Sequence, residues 1–187
     1  MSDDDRDLVT RLRAGQPSAI EELYEEYRKP IFGFLARLAR DRPLAEDLFQ
    51  NTWLKVSRSA HRIREDTELK AWLFTVARNE FRSYRRWQMI DLSSLLSVGA
   101  HRAETTCECD ELAGLERALG ELGASDREVL LLVSVEGLAP QQAAAVLGIS
   151  HAALRQRLAR ARARLKSALS KLERTTGVLR PRIAREP

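Results

Sequence analysis

Arg155, Gln156, Arg157, Arg160, Arg162 and Arg164 fall within a single run of ten residues. A guanidinium pairs bidentately with a guanine edge, a glutamine amide with an adenine edge, and both hold phosphate oxygens. The spacing decides which of these groups can act together. At about 100° per residue, Leu154, Leu158, Ala161 and Leu165 form one stripe that must face a core. Ala152, Gln156, Ala159 and Ala163 lie opposite, with Arg155 and Arg160 flanking them and the other three arginines further round. Small residues on the outer face let a helix sit deep in a groove. Ser150 suits the N-cap of this helix, and Gly148 suits a left-handed residue closing the helix before it.

An arginine-rich helix alone could be a solvated face. The preceding segment, GLAPQQAAAVLGIS, supplies a packing partner through Leu138, Ala143, Ala144, Val146 and Leu147. Two helices joined by Leu147-Gly148-Ile149-Ser150 read as a helix-turn-helix, which places its second helix in a DNA major groove.

A second basic helix is predicted from Leu69 to Trp87. Leu69, Leu73, Val76, Ala77, Tyr84 and Trp87 project inward, with Phe74 and Phe81 at the border. Thr75, Arg78, Asn79, Arg82, Arg85 and Arg86 project outward. This face suits DNA whose strands are separating, because arginines hold phosphates while aromatics receive unpaired bases. A plain amphipathic helix with a solvated basic face fits equally well.

The rest of the chain must position these two helices. Glycine and proline are sparse and act as punctuation at Gly15, Pro17, Pro30, Pro43, Gly99, Gly120, Gly123, Gly137 and Pro140. No stretch alternates with a period of two, so the expected class is all-α. Two small helical domains are expected, at 5–90 and 110–173, with a flexible linker at 91–109 and a basic tail at 174–187. In the first, Ser18 is a candidate cap and Pro43 opens a helix running to about Ser59. Net charge is +4, but from Ser150 to Pro187 there are eleven Lys and Arg against two acidic residues. That asymmetry is the footprint of a nucleic-acid binder. No apolar run reaches the roughly 20 residues that span a bilayer, so membrane insertion is not expected. MSDDDRD lacks a signal-peptide pattern, and a cytoplasmic location is expected.

Three stretches carry a resemblance: AEDLFQNTWLKV (45–56), LKAWLFTVARNEFRSYRR (69–86) and LGASDREVLLLVSVEGLAPQQAAAVLGISHAALRQRLARARARL (122–165). Together, in this order, they resemble the bacterial extracytoplasmic-function (group 4) sigma factors of the sigma-70 family, over residues 5–172. The resemblance implies a region 2 bundle and a region 4 helix-turn-helix. It implies RNA polymerase core and promoter DNA as partners, with an anti-sigma factor as inhibitor. It assigns Asp47, Leu48, Gln50, Asn51, Trp53, Leu54 and Lys55 to core-polymerase binding; from the residues alone, Leu48 and Trp53 could equally be core. It assigns the loop Ala60–Leu69, through Ile63, Arg64, Glu65 and Asp66, together with Asn79, to capturing an extruded base of the −10 element. Arg78, Arg82, Arg85 and Arg86 would hold DNA beside it. Arg155, Gln156, Ala159 and Arg160 would read the −35 element, with Ser150, His151 and Ala152 at the helix start. Departures from the family pattern are Ile63 for a common Phe, Glu65 for a common Gly, Leu122-Gly123 for Leu-Pro, and Gln142-Ala143-Ala144 for Glu-Ile-Ala.

Cys107-Glu108-Cys109, with His101 six residues upstream, offers thiolate and imidazole to a soft or borderline metal in the linker. The favoured reading is two incidental reduced cysteines with no cofactor; a linker metal site and a redox pair are the minority alternatives. No phosphate loop or H-E-x-x-H motif is present, and His61, His101 and His151 are scattered, so no enzyme is indicated. The resulting expectation is a promoter-specificity subunit that opens DNA for a stress- or signal-responsive regulon. The competing reading is a stand-alone helix-turn-helix regulator that binds duplex DNA as a dimer.

Overall fold

The computed structural model describes residues 3–92 and 110–176, which are helical with no strand among them. Helix α1, Asp3–Arg13, buries Leu8, Val9 and Leu12. Helix α2, Pro17–Ala39, begins one residue before the expected cap Ser18. Pro17 takes the first turn, where a missing N–H costs nothing. Pro30 does not end α2, because Tyr27, Ile31, Phe34, Leu35 and Leu38 continue one buried stripe across it. That burial outweighs the hydrogen bond the proline cannot make.

Arg40 closes α2 in the left-handed conformation (φ 56°), its N–H donating to the Ala36 carbonyl at 2.9 Å. Asp41 then accepts from the Leu44 N–H at 2.9 Å and caps α3, Arg42–Ser59. A 3-10 turn, Ala60–Arg62, and a polar loop lead to α4, Leu69–Leu92, which runs past the predicted end at Trp87. Helices α2, α3 and α4 pack on one another, and Phe34 meets Phe74 edge-on at 5.2 Å.

The second half comprises α5, Asp110–Glu121, and α6, Ala124–Leu130, then a π-helical turn, Leu131–Val135, followed by α7, Pro140–Leu147, and α8, His151–Thr176. The π turn buries Leu131 and Leu132 and leaves Val135 exposed. Gly148 closes α7 at φ 63°, with its N–H and that of Ile149 donating to the Ala145 and Ala144 carbonyls at 3.1 Å. Ser150 Oγ accepts from the Ala153 N–H at 3.2 Å and starts α8 as expected.

The two halves share a continuous core, with α6 against α2 and α7 against α4. Arg127 sits at this junction, only 6% exposed. It donates to the carbonyls of Leu119 (2.9 Å), Gly120 (3.1 Å) and Leu122 (2.7 Å) at the end of α5, and of Leu38 (3.2 Å) at the end of α2. Burial, with the nearby charges of Arg40 and Arg85, lowers its pKa to about 10, so it stays charged at neutral pH. Arg40 is exposed and reaches only the Gly120 carbonyl, at 2.6 Å. Arg127→Ala should lower unfolding free energy by about 2–4 kcal/mol, and Arg40→Ala by about 1 kcal/mol or less, in urea titrations. Equal losses would refute the distinction between them.

Candidate nucleic-acid interface

Helix α8 is held from one side. Leu154 and Ala161 are fully buried, and Leu158 and Leu165 half-buried. Arg164 ion-pairs with Asp126 of α6, which fixes the rotation of α8 against its neighbour. The opposite face is open: Ser150, His151, Ala152, Arg155, Gln156, Ala159 and Arg160 are all exposed. Among the described residues, the side chains of Arg155, Gln156 and Arg160 make no hydrogen bond or ion pair. Five N–H donors on each arginine and both ends of the glutamine amide are thus available to an external partner.

The loop before α4 is ordered by its own charges. Nε and Nη2 of Arg64 donate to the two carboxylate oxygens of Asp66, each at 3.0 Å, and Glu65 pairs with Arg13 of α1. Arg64, Glu65 and Asp66 are exposed, but Ile63, expected beside them as a base-reading position, is only 7% exposed. As the one apolar residue in a polar run, it turns into the core below the 3-10 turn.

On α4, Asn79, Arg82, Arg85 and Arg86 are exposed, and Arg85 lies over the Phe81 ring at 6.0 Å. Thr75 is half-buried and donates to the Ala71 carbonyl at 2.8 Å. Arg78, expected on the outer face, is only 7% exposed. Its Nε lies 3.4 Å from Glu128, and it donates to the Val146 carbonyl at 3.2 Å. A helical projection of α4 cannot register that α7 covers this side. Trp87, expected inward, is 62% exposed, because α4 here extends beyond its packing partners; Phe74 and Phe81 are buried instead.

A third surface is an apolar groove of about 780 Å³ between α2 and α3, lined by Ile20, Tyr24, Phe49, Gln50, Trp53 and Leu54, with Glu21 and Glu25 along one side. Trp53 packs edge-on against Tyr24 at 4.9 Å and Phe49 at 6.2 Å, and its indole N–H has no acceptor. Asp47, Gln50, Asn51, Leu54 and Lys55 are exposed, Lys55 pairing with Glu80 of α4, whereas Leu48 is buried in the core. The α2 wall was missed in the sequence, where Ile20 and Tyr24 match the same helical spacing as true core positions.

Among the described residues, no group of three potential metal ligands converges, and no helix is long and apolar enough to cross a membrane. His101, Cys107 and Cys109 lie outside the described residues.

Two family models match, sigma-70 region 2 over residues 23–89 and sigma-70 region 4 over residues 112–165. The chain is 36% identical to the RNA polymerase sigma factor CarQ of Myxococcus xanthus, over 88% of this chain and 97% of CarQ. It is 32% identical to the ECF RNA polymerase sigma factor SigM of Bacillus subtilis, over 79% of this chain and 93% of SigM. The sigma factor RpoE of Bartonella quintana, solved in complex with the anti-sigma factor NepR, superposes with a TM-score of 0.68, with 29% identity over 80% of this chain and 98% of that one.

Leu48 and Leu54 lie on one helix but differ in surroundings. Leu48→Ala should cost about 2–5 kcal/mol in thermal or chemical denaturation. Leu54→Ala, at a position 52% exposed, should stay within about 0.5 kcal/mol of the parent. A large loss from Leu54→Ala would mean that the groove wall is structural rather than available to a partner.

Proposed function

The chain belongs to the extracytoplasmic-function (group 4) sigma factors of the sigma-70 family, and from that premise we propose how its surfaces divide promoter recognition. Arg155, Gln156, Ala159 and Arg160 read the −35 element in duplex form, with Ser150, His151 and Ala152 against the adjacent backbone. Arg64, Glu65 and Asp66, with Asn79, receive an unpaired base of the −10 element. Arg82, Arg85 and Arg86 hold the phosphates beside it. Binding energy spent on the flipped base selects the melted DNA, and this chain performs no covalent step.

The groove between α2 and α3 docks on RNA polymerase core through Gln50, Trp53 and Leu54, with Asp47, Asn51 and Lys55 at its edge. Exposed apolar and aromatic side chains rimmed by polar ones have the composition of a protein interface. By similarity to the RpoE–NepR pair, an anti-sigma factor holds the protein inactive until a signal releases it. The protein works in the cytoplasm, on a signal-responsive set of promoters.

The observation that supports this reading best is the α8 face: a row of unpaired Arg and Gln side chains directly opposite a buried stripe.

Transcription with this protein, bacterial polymerase core and fragmented genomic DNA, with transcript ends mapped, tests the proposal. Discrete start sites sharing two upstream motifs, absent without the protein, are expected. Tight duplex binding without any start site would instead favour the stand-alone regulator. Arg155→Ala and Arg160→Ala should each weaken selection of the upstream motif by about 1–3 kcal/mol while leaving stability unchanged.

A further inference from the structure

Trp87 is 62% exposed, whereas Trp53 and Trp72 are half-buried. A lone exposed apolar residue carries little information. Its neighbours on α4 change that. Asn79, Ser83, Arg86 and Trp87 stand at i, i+4, i+7 and i+8, within an arc of about 100° around the helix. Along that arc Asn79, Arg86 and Trp87 are exposed and Ser83 is half-buried. Among the described residues, Trp87 has no ring, hydrogen-bond or ion-pair partner.

Charge narrows the kind of partner. Between Phe81 and Ile90 there are three arginines, Arg82, Arg85 and Arg86, and no acidic residue. All three are exposed. An indole set among cations suits a polyanion with flat faces, since guanidiniums hold phosphates while the ring takes the face of a base. The groove between α2 and α3 is built otherwise, with its aromatics beside Glu21 and Glu25.

We propose that Trp87 is a base-stacking residue: it receives the face of a second unpaired base, on the strand whose −10 base is taken by Asn79 and the loop before α4. The inference rests on the assignment of Asn79 to that base made above. Helix geometry sets the spacing. Eight residues advance about 12 Å along α4, the rise of three to four stacked nucleotides at about 3.4 Å each. The ring therefore meets a base three or four nucleotides from the captured one. Stacking tolerates every base, because each has a π-face. The contact holds the opened strand without adding sequence preference. A base stacked inside duplex DNA has no free face to offer, so this energy is gained only in the opened state and favours it.

The test is binding of the chain, assembled with polymerase core, to a fragment of one mapped promoter. The fragment is duplex upstream and single-stranded through the lower motif. Trp87→Ala should weaken binding by about tenfold while leaving the urea midpoint and core affinity unchanged, as the side chain is exposed. Trp87→Phe should restore most of the loss, and Trp87→Leu, apolar but without a ring, should not. Abasic sites placed one at a time along the single strand then locate the contact. The Trp87→Ala loss should vanish at one position, three or four nucleotides from the position that cancels the Asn79→Ala loss. Parental binding by Trp87→Ala, with Asn79→Ala and Arg86→Ala weakened, would overturn the stacking role and leave the α4 assignment standing. Parental binding by all three, or no promoter to map, would remove that assignment and the inference with it. Weakened affinity of Trp87→Ala for core would make the indole a protein contact and overturn the proposal.

Discussion

Arg127 presents the chain with a folding constraint that its neighbours must meet. A buried guanidinium with no carboxylate beside it has to find oxygen elsewhere, and here it takes four carbonyls from the ends of two helices. Helix C-termini carry partial negative charge and unsatisfied carbonyls, so the cation and the helix ends complete one another. Three of those carbonyls tighten the turn between α5 and α6. The fourth belongs to α2, and it ties the start of α6 to the first bundle. The position of α6 sets the π turn and α7 behind it. Through the Asp126–Arg164 pair it also sets the rotation of α8. The outward face of α8 is thus oriented by contacts made on the far side of the molecule.

Much of this was legible in the sequence. The buried stripe of α8, the Gly148 closure and the Ser150 cap follow from spacing and local chemistry alone, because each depends on residues within one or two turns. The all-α class and the order of the elements follow for the same reason. Pro30 misleads as a punctuation mark because its cost is local while the compensating burial of Ile31, Phe34 and Leu35 is tertiary. Ile63 and Arg78 mislead in the same direction, both expected at the surface and both buried. Ile63 was placed by the family resemblance and Arg78 by the helical projection of its own segment, and each is decided by a neighbour distant in sequence: the core below the 3-10 turn for Ile63, and α6 and α7 for Arg78. Trp87 reverses the error, since an inward projection buries nothing where no partner lies beneath it.

The exposed surfaces differ in how they are built. The groove between α2 and α3 is aromatic and apolar, with a donor at Trp53 lacking an acceptor. The loop before α4 carries exposed ion pairs, Arg64 with Asp66 inside it and Glu65 with Arg13 of α1. The α8 face is neither apolar nor internally paired. It consists of long cations and an amide standing on alanines.

That construction bears on how such a protein diversifies. Substitutions at core positions are constrained by volume, and most are filtered out by their effect on folding. On the α8 face, the side chains of Arg155, Gln156 and Arg160 make no hydrogen bond or ion pair with the rest of the described chain. Residues there can be exchanged with little consequence for stability, and any preference encoded on that face is free to drift while the scaffold stays fixed. A lineage of duplicated copies can therefore acquire distinct specificities by single steps, without first accumulating compensating changes in the core.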